Sequence, residues 1–145
     1  MGFAIYLLSQ QQRVRIKMFN DEWMDKFQSA WNEEPGLADA LHQIHFDSVI
    51  AYGFDNKETP EAVIHVKDGQ VVSAGAYEGE PVNWDLRASS DNWEKWSKKP
   101  PGMMGLGMAY TTGKLKFIEG DYAAMVKDPR MAGPFIKSFE VMGKV

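Results

Sequence analysis

The sequence contains no cysteine. Disulfides, thiolate nucleophiles and zinc–thiolate sites are therefore excluded. It also lacks a basic excess, with 16 Lys and Arg against 20 Asp and Glu, a net charge of −4. That balance argues against nucleic acid as a partner, because phosphate backbones demand a basic surface. It argues equally against strong attraction to an anionic membrane. No apolar run is long enough to span a bilayer; the opening Phe3-Ala4-Ile5-Tyr6-Leu7-Leu8 is far too short. That run has no basic residue ahead of it, so it does not read as a secretory signal. Tyr6 stands where a myristoylation pattern needs Ser or Thr. With reduced chemistry and no signal, the chain is expected in the cytoplasm.

What is present suits one domain: 145 residues, 44% hydrophobic and 25% charged. Residues 1–17 carry no clear periodicity after the first apolar run. They read as an N-terminal appendage, or equally as a short segment packed on the domain edge, ahead of a domain spanning residues 18–145. Asn20 is placed to cap a helix, with Asp21 and Glu22 in its first turn. Trp23, Phe27, Ala30 and Trp31 form its apolar stripe, and Pro35-Gly36 ends it. Leu37, Ala40, Leu41 and Ile44 make a second helical stripe.

From Phe46 the period becomes two: Phe46, Ser48, Ile50, Tyr52 and Phe54 alternate with Asp47, Val49, Ala51 and Gly53. Glu61–Lys67 and Gln70–Tyr77 are strand-like runs joined by Asp68-Gly69, a strong hairpin signal. In Val82–Ala88, Val82, Trp84, Leu86 and Ala88 share one face. Asn83, Asp85 and Arg87 share the other, which is expected to be wet. Asp91 and Glu94 have capping-box spacing for a helix carrying Trp93 and Trp96, stopped by Lys98-Lys99-Pro100-Pro101-Gly102. Gly102–Tyr110 is a methionine- and glycine-rich apolar segment; its Gly102, Gly105 and Gly107 do not have dinucleotide-loop spacing, and no helix signal follows them. Lys114–Ile118 reads as a last strand. Asp121 caps a helix through Tyr122, Met125 and Val126, which Pro129 and Gly133-Pro134 interrupt. Phe135, Ile136, Phe139 and Met142 close the chain with an amphipathic stripe. Helices, then antiparallel-type strands, then helices make an α+β pattern with helices on one sheet face.

Tyr110–Met125, with Gly113-Lys114-Leu115-Lys116-Phe117-Ile118-Glu119-Gly120-Asp121 at its centre, resembles the strand–turn–helix close of the sterol carrier protein type 2 family. The hairpin Ile64–Val71 looks like that family's second and third strands. The opening Phe19-Asn20-Asp21-Glu22-Trp23 resembles its bacterial stand-alone members. The likeness extends from about Met18 to Met142. It implies a five-stranded, mostly antiparallel sheet with helices packed on one face, enclosing an apolar tunnel. It also implies a ligand such as a fatty acid, acyl-CoA, sterol or phospholipid. Two features depart from peroxisomal members: the ending Met142-Gly143-Lys144-Val145 and the tryptophans between Trp84 and Trp96. A fatty acyl or aromatic ligand fits them at least as well as a sterol.

The candidate ligand-binding residues are Trp84, Trp93, Trp96, Met103, Met104, Leu106, Met108, Phe117, Met125, Phe135, Phe139 and Met142. Methionine adapts its shape to variable ligands, and tryptophan offers a large rigid face with one N–H. The same residues also suit plain core packing. Lys98, Lys99 or Lys114 could receive a polar head at the tunnel mouth. No cofactor is expected. Gly107 to Gly113-Lys114 fails as a phosphate loop, with one residue too many and Leu115 where Ser or Thr should bind magnesium. His42, His45 and His65 read as solvated or capping residues rather than metal ligands. Asp85 is the best candidate acid or base, but its place beside Arg87 predicts simple pairing. The expected role is non-catalytic lipid carriage, with at most transient membrane contact and a homodimer or enzyme partner compatible with it. The rival readings are an accessory subunit covering a partner enzyme's apolar surface and a small ketosteroid-isomerase-like enzyme.

Overall fold

The computed structural model describes residues 17–145; most of the N-terminal appendage therefore lies outside the described residues. The elements run α1 (Asp21–Glu33), a π-helical turn (Pro35–Asp39) continuing into α2 (Ala40–His42), β1 (Ser48–Phe54), β2 (Ala62–Lys67) and β3 (Gln70–Ala76). They continue with β4 (Trp84–Ala88), α3 (Ser90–Lys98), α4 (Met103–Thr111), β5 (Lys116–Glu119), α5 (Tyr122–Lys127) and α6 (Pro129–Met142). The five strands form one sheet in the order β3-β2-β1-β4-β5. Every neighbouring pair is antiparallel except β1 and β4, which run parallel. The helices pack on one face, so the expected α+β architecture is the one observed.

Several local predictions translate directly into structure. The Asn20 side chain accepts from the Trp23 N–H at 2.9 Å and starts α1. Trp23, Met24, Phe27 and Trp31 are its buried stripe. Asp68 and Gly69 take left-handed backbone, φ 52° and 88°, as a tight hairpin turn requires. Gly69 also lies against the π-helical turn, where a Cβ would meet Ala38 O and His42 N at 2.5 Å. Helix α1 holds the edge strand β3: Asn32 both accepts from Val71 N–H (2.8 Å) and donates to Val71 O (2.9 Å). Trp31 Nε1 donates to Gly69 O at 3.0 Å.

Elsewhere tertiary structure overrode the pattern. The second helical stripe is shifted because a π turn holds more residues per turn than an α turn. Ala38 is buried beside Leu37 and Leu41, while Ala40 is only partly covered. Ser89, not Asp91, caps α3 by accepting from Asn92 N–H. The methionine–glycine segment is a helix, although interior glycines weaken helices by about 1 kcal/mol each. At Gly105 the missing side chain fits local crowding, since a Cβ there would meet Pro101 at 3.0 Å. Pro134 sits inside α6 without ending it.

Asp85 and Arg87 were expected to be wet and are 5% and 3% exposed. The loop after β1 folds over their side of the sheet. Arg87 donates to Phe54 O at 3.2 Å and Lys57 O at 2.9 Å, and grips both Asp85 oxygens, at 2.6 and 3.0 Å. Alternation assigns a face, but only the covering loop decides whether that face is dry.

Candidate functional site

A cavity of about 50 Å³ lies between the helices and the centre of the sheet. Ile50 and Tyr52 reach it from β1, and Trp84 and Leu86 from β4. These residues share the helix-covered face because side chains alternate along a strand. Trp31, Leu37, Leu41 and Phe46 close one side. Met125 of α5 and Met131, Pro134, Phe135 and Ser138 of α6 close the other. No charged side chain lines it.

Two hydroxyls punctuate this apolar wall. Ser138 spends its proton on Phe135 O at 2.6 Å, the usual back-bond of a helical serine. Tyr52 is 2% exposed, and burial pushes its pKa well above the ordinary tyrosine value. It is therefore a neutral donor. Its hydroxyl has no hydrogen-bond partner among the described residues. No fully enclosed side-chain nitrogen or oxygen among those residues is unpaired. Tyr52 is one of the residues lining the cavity.

The tyrosine ring is held rigidly. Phe19 stacks on it with centroids 5.8 Å apart, and Phe27 and Trp93 meet it edge-on at 5.8 and 6.2 Å. Trp84 is positioned from the other side by Gly120. With φ at 103°, Gly120 lies so close that a Cβ there would fall 2.2 Å from the indole. The conformation and the contact both require glycine.

Of the twelve sequence-predicted ligand residues, Trp84, Met125 and Phe135 line the cavity. Phe117 is one ring removed, 6.1 Å from Trp84 and 5.9 Å from Phe135. Trp93, Trp96 and Phe139 form an aromatic cluster in the core, with Trp93 Nε1 donating to Gly53 O at 2.8 Å. Met142 is core, and Leu106 is buried beneath α4. Met103, Met104 and Met108 are exposed. The remaining wall, including Tyr52 and Leu37, was visible in the sequence only as apolar periodicity. Core and cavity demand the same residue types, so no local signal separates them.

The polar candidates lie elsewhere. Asp85 is committed to Arg87 and does not line the cavity. His42 and His45 both turn to Asp68, at 3.1 and 3.0 Å, and His65 to Glu80 at 3.2 Å. Among the described residues no group of three or more His, Cys, Asp or Glu is arranged to hold a metal.

No protein-family model and no curated protein sequence matches the chain. Solved structures do. A crystal structure of sterol carrier protein 2 superposes with a TM-score of 0.71 at 18% identity, covering 89% of this chain and 99% of that one. The solution structure of a conserved hypothetical protein from Thermus thermophilus gives 0.60 at 21% identity, covering 87% and 90%. A ubiquinone synthesis protein, UbiJ-SCP2, gives 0.54 at 13% identity, covering 82% and 86%. The chain thus adopts the sterol carrier protein 2 fold, with its apolar cavity between the sheet and helices α5 and α6.

Proposed function

We propose that this protein binds and carries a hydrophobic small molecule in the cavity between its sheet and its helices. The observation that carries this reading is an uncharged wall at the centre of the fold, drawn from both ends of the chain. Such a wall favours apolar surface by about 25 cal/mol per Å² buried, before ordering costs. It penalises a carboxylate, whose burial without a partner costs several kcal/mol. A charged head group would therefore remain outside. Tyr52 offers a hydrogen bond to one uncharged oxygen inside.

Ligand sites usually measure about 300–1,000 Å³, so 50 Å³ must widen before a lipid chain fits. The wall best able to yield is α5 with the first half of α6. Helix α5 is short. Pro134 removes one backbone hydrogen bond from α6. Met125 and Met131, which face the cavity from these two helices, can repack without losing contact. This reading makes the protein a carrier, with no acid or base required of Asp85.

Native mass spectrometry of the purified protein, with organic extraction of anything bound, tests the proposal. A discrete adduct of a fatty acid, sterol, acyl-CoA or phospholipid is the expected result. A bare protein that also ignores a panel of long-chain fluorescent lipids would refute it.

A further inference from the structure

Helix α4 buries only Leu106 and Ala109. Met104 and Met108 are 89% and 66% exposed, with Met103 and Tyr110 also open to solvent. Met104 and Met108 lie four residues apart, on the same side of the helix and away from Leu106. Solvent-facing helices normally carry charge there; this one carries none. The charge sits at its two ends instead. Lys98, paired with Glu94 at 3.1 Å, and Lys99 precede it, and Lys114 and Lys116 follow it, all exposed. From Lys95 to Ile118 there is no acidic residue, so the acidic excess of the chain resides elsewhere.

We propose that α4 is the face with which this protein docks on an anionic lipid bilayer, its methionines entering the acyl region and the flanking lysines meeting the head groups. Charge complementarity selects the partner. Screening limits electrostatics to about 10 Å at ordinary ionic strength, so the charges beside α4 govern the contact, and from Glu94 to Asp121 five lysines stand against three acids. A protein partner is disfavoured by the same frame: methionine suits protein interfaces, but lysine is depleted there. At a bilayer, lysine stems lie along the apolar boundary while their ammonium groups reach the phosphates.

The position of α4 gives docking a use. Tyr110 stacks on Tyr122 at 4.0 Å, and both rings contact Phe117, at 5.8 and 5.4 Å. Phe117 in turn touches Trp84 and Phe135 of the cavity wall. One aromatic layer separates the docking helix from the cavity. The inference stands on α4 alone and does not require the carrier reading.

Cosedimentation with vesicles of phosphatidylcholine, with and without phosphatidylglycerol, tests it. Binding is expected to the anionic vesicles and to weaken as salt rises. Replacing lysines at 98, 99, 114 and 116 by glutamine should weaken binding about fivefold per lysine. The pair Met104→Ser and Met108→Ser should cost about tenfold or more. Because the chain has no cysteine, a fluorophore on Met104→Cys reports insertion without disturbing the core. Its emission should shift to the blue on anionic vesicles, whereas the same label on Val72→Cys, exposed on β3, should not respond. Absent binding, equal binding to both vesicle types, or binding indifferent to the methionine pair overturns the proposal. So does a label response that follows protein concentration without vesicles, which would assign α4 to a second copy of the chain.

Discussion

Replacing Tyr52 by phenylalanine separates stability from binding, with opposite signs. The hydroxyl is neutral, buried and without a partner among the described residues. No enclosed side-chain oxygen among the described residues is unpaired, so the hydroxyl carries at most part of the about 1–3 kcal/mol that a wholly unsatisfied buried group costs, and water in the 50 Å³ cavity offsets it further. The ring itself, packed by Phe19, Phe27 and Trp93, is unchanged in Tyr52→Phe. The variant should therefore be as stable as the parent or up to about 2 kcal/mol more stable. Its affinity for a ligand with an uncharged oxygen at the buried end should fall. A net hydrogen bond of about 0.5–1.5 kcal/mol corresponds to roughly two- to twelvefold. Urea melts give the first quantity. Calorimetric titration of a matched pair, a long-chain ketone and the alkane of equal length, gives the second. The ratio of the two affinities should change in the variant, with the alkane unaffected. A loss of stability above about 1 kcal/mol would show that the hydroxyl has a partner in the folded protein. An unchanged ratio with both ligands bound would show that it does not face the ligand.

Breaking the buried pair with Asp85→Asn or Arg87→Met should destabilise by about 3–5 kcal/mol in urea melts, while the double replacement by apolar residues should recover much of the loss. A cost below about 1 kcal/mol for either single change would contradict the burial described for both residues. Gly120→Ala combines a left-handed backbone with a clash on Trp84. It should destabilise by about 1–3 kcal/mol and shift the tryptophan emission; an unshifted spectrum would mean that the indole is not held by this turn. Glu34 accepts from Gly36 N–H and from Lys144, which hold its carboxyl below the usual range. A carboxylate lowered on folding stabilises above its unfolded pKa, about 4.3, and loses that contribution as pH falls through the folded value. The melting-temperature gap between the parent and Glu34→Gln should thus be present at neutral pH and close in acid. A gap independent of pH would assign it to packing.

Much of the framework follows from short-range chemistry. Asn20 and Asp121 cap helices because their side-chain oxygens accept from the N–H groups of Trp23 and Ala124. Asp68-Gly69 makes a hairpin because both residues tolerate left-handed backbone. The stripe of α1 and the alternation of β1 select the buried face because helix and strand have fixed periods. These effects act over a few residues, so the sequence by itself determined the α+β order and most strand positions.

Only the tertiary structure decided what each face meets. Helix α4 forms against its glycines because Leu106 and Ala109 find a place to be buried. Asp85 and Arg87 become dry because the loop after β1 closes over them. Trp93 and Trp96 enter the core, while Trp84, of the same residue type, lines the cavity. Tyr52, one more aromatic in an alternating strand, becomes the neutral donor beside that cavity. Each outcome depends on segments distant along the chain arriving at one point. Burial is a property of that meeting, and no local pattern encodes it.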